Sequence, residues 1–361
     1  MATPVGGQSL GNYIFEGLST LNHTATVFGC VMAALLAVVL DQLVRLLEVA
    51  ARRRSRPLAT VAAAVLALVT VGSLVQPALA WADRGERVVI VGAPFTEQYV
   101  LSRAMARRLE AHSFRPDLRD GMSYGIMLEG LRHNQADCGV LYTGDVWTLL
   151  MKPRGFTTQQ RDYGAVKDFL EREYGVVCLG KFGFEDAYRL AIKPKKDGWN
   201  PASSADLKQL QANLGRPLRI GGDTMFFGRD EWRDLKARYL PGVPVETAAM
   251  DQTLMYDAVA GGQLDVIVAY TSDGRVPYYG LQLLDDPHKV FPPYDAILVA
   301  SPAAARRPGL QEALQPLIGS VDLETMQRAN QWVDVEKRSP RKAAADLLKQ
   351  LELRRQPAAG K

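Results

Sequence analysis

Val88-Val89-Ile90-Val91-Gly92-Ala93-Pro94-Phe95-Thr96-Glu97-Gln98 is the stretch on which the fold turns. Four β-branched apolar residues in a row read as a strand buried on both faces. Gly92 and Pro94 punctuate it. Thr96 is then a natural N-cap for a helix through about Glu110, along which Val100, Leu101, Met105 and Leu109 recur at helical spacing. A buried strand feeding a helix is the repeating unit of an α/β protein with mainly parallel sheets. The alternation continues downstream. Ser123 opens a helix toward His133. Residues 137–142, 186–192, 218–221, 264–269, 281–284 and 296–300 read as strands, and 254–260 as a helix. The tail from Leu310 to Leu351 is mostly helical, with breaks at Pro316 and Pro340. The roughly 275 residues from Asp83 onward exceed one comfortable α/β core, so two lobes are expected.

Upstream of Asp83 the composition changes. No charge stands between Glu16 and Asp41, and a second charge-free stretch runs from Pro57 to Ala82. Each approaches the roughly 20 residues that cross a bilayer as a helix. Two transmembrane helices are expected, at about 24–47 and 57–81. The Arg-rich loop 52–56 between them is cytoplasmic by the positive-inside rule. Everything after Asp83 then lies outside. The competing reading is a signal peptide, because Ala78-Leu79-Ala80 resembles a cleavage site, but a signal normally starts the chain. Residues 1–82 carry Arg45, Arg52, Arg53, Arg54 and Arg56 against Glu16, Asp41 and Glu48, a net +2. The whole chain of 361 residues is only +4, too small an excess to argue for nucleic acid. Cys138 and Cys178 each sit in an apolar run and read as buried free thiols rather than a bridge, and Cys30 lies in the first apolar segment.

Two catalytic motifs tempt and fail. Gly121-Met122-Ser123-Tyr124-Gly125 fits the G-x-S-x-G nucleophile elbow, which needs a buried strand before it. Residues 115–120 are polar and contain Pro116, which disfavours a hydrolase using Ser123 but leaves it as an open alternative. Gly175 to Lys181 spells G-x-x-x-x-G-K, but Phe182 replaces the magnesium-binding hydroxyl, and the segment reads as a strand. The four histidines lack metal spacing. No enzyme, cofactor or metal is expected. What remains is aromatic: Tyr142, Tyr188, Tyr270 and Tyr294 stand at strand ends or in the turns beyond them. Ligands bind α/β sheets at such ends, and four rings can wall a cage for a quaternary ammonium.

Four segments come in one order: Gly92-Ala93-Pro94-Phe95-Thr96-Glu97-Gln98, Tyr142-Thr143-Gly144-Asp145, Ala269-Tyr270-Thr271-Ser272-Asp273-Gly274-Arg275 and Phe291-Pro292-Pro293-Tyr294-Asp295. Over about residues 86–352 the chain resembles the substrate-binding proteins of osmoprotectant ABC importers, which take up glycine betaine, choline and carnitine. Gly11-Asn12-Tyr13-Ile14-Phe15-Glu16-Gly17-Leu18 and the apolar run after it resemble the end of the partner permease. The resemblance implies a two-lobed periplasmic-binding-protein fold, a type II-like clamp, behind the membrane anchor. Lobe I would take residues 83–190 and 275–352, lobe II 191–274, with 353–361 a disordered tail. It implies a tyrosine cage of Tyr142, Tyr188, Tyr270 and Tyr294, with Thr96, Gln98, Ser123 and Asp145 as polar contacts. Many relatives have Thr where this chain has Asp145. A carboxylate there disfavours a ligand carboxylate and tilts the expectation toward choline. Arg229 pulls the other way, since it could pair with the carboxylate of an amino-acid betaine such as ergothioneine. The implied partners are an ABC permease, a separate ATPase subunit and the inner membrane, with the binding domain on the periplasmic or extracellular side. A sensory module that never delivers solute and an enzyme using Ser123 are the alternatives from other classes.

Overall fold

The computed structural model describes residues 11–20, 22–52, 57, 60–61, 63–67, 85–223 and 226–355. The chain opens with helix α1 (Gly11–Ser19) and a long helix α2 (His23–Arg52). The segment His23–Ala50 is long and apolar enough to cross a membrane, and only 11% of its most apolar window is buried. Val27, Phe28, Val31, Leu35, Val38 and Val39 are exposed on it. The second apolar stretch, expected at 57–81, and the loop 52–56 fall largely outside the described residues.

Beyond Gly85 the chain builds two five-stranded sheets. The first holds β1 (Glu86–Val91), β2 (Phe114–Arg119), β3 (Cys138–Tyr142), β4 (Val177–Glu185) and β10 (Asp295–Ala300), in the order β2-β1-β3-β10-β4. The second holds β5 (Tyr188–Ile192), β6 (Leu218–Gly222), β7 (Val245–Ala249), β8 (Val266–Tyr270) and β9 (Gln282–Leu283), in the order β7-β6-β8-β5-β9. Each sheet is buried on both faces, as continuous apolar strands require. Val88 and Ile90 of β1 join the core of Val100, Leu101 and Met105 on α3 (Thr96–Glu110). Val89 and Val91 face the other way, with Met127 and Leu131 of α4 (Tyr124–Arg132). In the second sheet Leu190 and Val268 share a core with Trp232 and Leu235 of α5 (Asp230–Tyr239). Ile267 and Ala269 share one with Met255 and Val259 of α6 (Gln252–Ala260). Each such buried Val, Ile or Leu contributes about 1.5–3 kcal/mol. Two helices come last among the described residues, α7 (Leu323–Asp334) and α8 (Pro340–Arg355), with Pro340 at the first helical position. The last helix thus enters the stretch 353–361 expected as a tail.

The sheets are mixed rather than mainly parallel. β1 runs parallel to β2 and β3, and β6 to β7 and β8, but β10 and β5 run antiparallel to their neighbours. Both strands are reached by crossing between halves instead of through a helical return, so the parallel βαβ constraint does not act on them. Residues 115–119, set aside as polar, belong to β2. It is an edge strand, where Pro116 and charges are tolerated. The chain crosses to the second sheet between Glu185 and Tyr188 and returns between Leu283 and Asp295. The second sheet thus extends beyond 191–274 at both ends. The crossings touch, the Asp186 N–H donating to the Tyr294 carbonyl at 2.9 Å. A third contact comes from the loop after β8. Gln327 and Asn330 of α7 donate to the carbonyls of Thr271 (2.7 Å) and Ser272 (2.9 Å). Cys138 and Cys178 are buried free thiols, and Cys30 is exposed on α2.

Candidate functional site

Tyr142 ends β3, Tyr270 ends β8, Tyr188 begins β5, and Tyr294 stands just before β10. The two sheets aim these ends at one another across a cavity of about 610 Å³. Antiparallel register sets Tyr188 opposite Tyr270. Their ring centroids are 4.7 Å apart and their hydroxyls 2.9 Å apart. All four tyrosines line the cavity, as do Thr96, Asp145 and Arg229.

Gln98 and Ser123 do not reach it. Gln98 is fully buried and donates to the Val140 carbonyl at 3.1 Å. One residue is about 100° of helix, so Glu97 rather than Gln98 faces the cavity. Ser123 occupies the N-cap position of α4 without a side-chain cap bond, and is exposed. Thr96 is not a cap either. Phe95 holds the N-cap position of α3, and the Thr96 hydroxyl donates to Asp334 at 2.5 Å.

Apart from Asp145, the acidic side of the cavity carries no signal in the sequence. Glu97 is 3% exposed. It accepts a hydrogen bond from the Tyr142 hydroxyl and another from Asn330 at 3.3 Å. Burial raises its pKa to about 7 against the hydrogen bonds that lower it. Asp186 accepts from the Ser272 hydroxyl at 2.7 Å. Burial, and then the charge of Glu97, push it well above the ordinary carboxylate range. Burial likewise raises Asp145 to about 6, opposed by Arg229. Arg229 itself forks onto Glu231, with both contacts at 3.2 Å. Its guanidinium carbon lies 5.4 Å from the Tyr188 ring centre, and it donates to the Tyr294 hydroxyl at 3.3 Å. Electron-rich ring faces, the carboxyl groups of Glu97, Asp145, Asp186, Asp251, Asp273 and Asp334, and two arginines, Arg229 and the Asp273-paired Arg275, make a site suited to an organic cation, with Arg229 in place for an anion.

Residues 86–350 match the family model of the substrate binding domain of ABC-type glycine betaine transport systems. A Helicobacter pylori protein named ergothioneine transport permease/ergothioneine binding protein is 28% identical over 97% of this chain. The alignment spans 65% of that relative's length. A Pseudomonas aeruginosa glycine-betaine-binding protein is 28% identical, covering 75% of this chain and 89% of its own. A crystal structure described as a glycine betaine/carnitine/choline ABC transporter superposes with a TM-score of 0.66 at 24% identity. It covers 73% of this chain and 98% of its own, a likeness of fold.

Proposed function

The chain belongs to the family of substrate binding domains of ABC-type glycine betaine transport systems, and on that premise we propose that it is the solute receptor of an ABC importer. It encloses the ammonium group of a small solute among Tyr142, Tyr188, Tyr270 and Tyr294. The observation that carries this reading is the convergence of four tyrosines and a set of carboxyl groups, Glu97, Asp145 and Asp186 among them, on one cavity. Each desolvated ring face attracts a cation by about 0.5–2 kcal/mol. Four faces reach toward the roughly 8 kcal/mol of a micromolar complex. The halves close on the solute about the crossings near Asp186 and Tyr294. Helix α2, as part of a permease-like segment over residues 1–82, tethers the receptor to the plasma membrane. A separate permease and ATPase complete the importer, and the receptor performs no catalysis.

Asp145 favours choline over glycine betaine and carnitine, because a ligand carboxylate beside it would be repelled. A second reading, an amino-acid betaine such as ergothioneine, is favoured by Arg229, which lies between Tyr188 and Tyr294 and can hold a carboxylate. Calorimetric titration of residues 83–361 with choline, glycine betaine, carnitine and ergothioneine separates the two. Asp145→Thr is expected to improve glycine betaine relative to choline by about tenfold, or about 1.4 kcal/mol. An unchanged ratio removes the selectivity assigned to Asp145.

Gly144 leaves room for the Tyr294 ring, since a Cβ there would overlap it. Gly144→Ala is expected to displace that ring and weaken choline binding about tenfold or more, with a small change in melting temperature. Binding within twofold of the parent would show that the ring adapts.

Binding should also depend on pH. Glu97 titrates near 7 and Asp145 near 6 in the unliganded site. A bound cation favours their charged forms and draws protons off them. Choline affinity is therefore expected to rise from pH 5 to about 7.5 and then level, with proton release measured in buffers of different ionisation enthalpy. The unliganded fold changes in the opposite sense. Both carboxyl pKa values are raised by folding, so the contribution of these two groups to stability is fully present below the ordinary carboxylate range and is lost as pH rises toward 7. A flat affinity profile would exclude both carboxyl groups from the cation site.

A further inference from the structure

Three residues of the solute cavity wall, Leu18, Ser19 and Thr20, come from the membrane segment and not from either lobe. They form the corner where α1 turns into α2, and this corner is bonded to the first lobe. Arg103 of α3 donates to Glu16 at 2.6 Å through one guanidinium nitrogen and to Asp120 at 2.7 Å through the other. The Tyr99 hydroxyl donates to the Ser19 hydroxyl at 3.4 Å. Lys337 donates to the Thr20 carbonyl at 3.2 Å, and Asn22 donates to the Lys337 carbonyl at 3.5 Å. Thr20 is 3% exposed, and burial raises the Glu16 pKa even beside Arg103. Lys337 makes these contacts from a left-handed backbone, φ 58°, which non-glycine residues adopt at a cost.

The same two elements carry the docking residues and the cavity residues. On α3, Thr96 and Glu97 face the solute site, while Tyr99 and Arg103 face the corner one and two turns later. At the end of α7, Asp334 lines the cavity and Lys337 follows three residues on. We infer that the face formed by Tyr99, Arg103, Asp120 and Lys337 is a docking surface for the α1–α2 corner of this chain, and that the docked corner closes the cavity on its membrane side. This rests on the readings of α2 as a membrane helix and of the cavity as the solute site. Solute would then leave toward the membrane only when the corner lifts, and the ion pair of Glu16 with Arg103 would set how long it stays.

The test uses the full chain in nanodiscs with Cys30→Ala. Ser19→Cys and Tyr99→Cys are joined by a short bismaleimide, which reads docking without any solute. Choline is the probe for release. The parent is expected to cross-link efficiently. Glu16→Arg leaves both lobes untouched and repels Arg103. It should cut the cross-link yield and speed choline dissociation by about fivefold or more, whereas Glu16→Asp should keep both near parental values. Failure of the parent to cross-link overturns the docking surface, whatever the solute is. Cross-linking lost in Glu16→Arg with an unchanged dissociation rate overturns closure of the cavity. If the parent does not bind choline at all, the choline reading fails, while the cross-link still decides the docking surface.

Discussion

Tyr270→Ala is expected to weaken choline binding by about 30-fold or more while the receptor stays folded. The change removes one cage face, about 0.5–2 kcal/mol. It also strips Tyr188 of the ring 4.7 Å away and of the hydroxyl 2.9 Å away that hold it in the cavity wall. A hydrogen bond of this kind contributes about 1 kcal/mol and an aromatic pair about 0.5–1.5 kcal/mol. Together these exceed the roughly 2 kcal/mol that correspond to 30-fold. The fold should survive, because Tyr188 keeps Phe226 at 5.2 Å and Phe291 at 6.4 Å, and the β5–β8 pairing is a backbone matter. Titration with choline and a thermal melt check both halves. Affinity within twofold of the parent would sink the cage.

Gly274→Ala should instead strike the fold. Gly274 lies in the loop after β8, packed against the backbone of α7. A Cβ there would overlap the backbone nitrogen and Cα of Gln331 and lie 2.8 Å from the carbonyl carbon of Asn330. Helix backbone cannot rotate aside as a side chain does. The loop must lift, and the buried Asn330 bond to the Ser272 carbonyl then lengthens. We expect a loss of about 2–4 kcal/mol, seen as a melting temperature lower by about 5–15 °C. Binding should fall as well, since Asn330 also holds Glu97. Gly125→Ala is the control, because an added Cβ there meets nothing within 4 Å. A Gly274→Ala variant melting within about 2 °C of the parent would show that the loop has room to move.

The interior of the fold was legible because its strands are apolar on both faces. β1, β3, β8 and β10 announce themselves as runs, and α3 by its period. Two of the four edge strands, β2 and β7, were not legible. β2 carries Arg115, Pro116, Asp117 and Arg119, and β7 is Val245-Glu246-Thr247-Ala248-Ala249. An edge strand needs little apolar burial and benefits from charge, so it sends a weak periodic signal. The site divides in the same way. The tyrosines stand at strand ends, where pattern and resemblance agree. Glu97 looked like an ordinary acid in the first turn of a helix, and Asp186 like a residue of the strand before Tyr188. Only the crossing of two sheets brings them to one cavity. Proximity in sequence misled at Gln98, whose neighbour takes the cavity face.

The strand order of the first sheet has a consequence for how the chain folds as it is made. β10 lies between β3 and β4, yet about 110 residues and the whole second sheet separate it from β4 in the chain. The second sheet lies between the two crossings, and it can close as soon as its own strands have emerged. The first sheet cannot. Until residue 300 is synthesised, β3 and β4 each present an unpaired apolar edge, and such edges invite pairing with other chains. The half made first is therefore the half completed last. Its vulnerable interval during biogenesis is as long as the time taken to make the insertion within it.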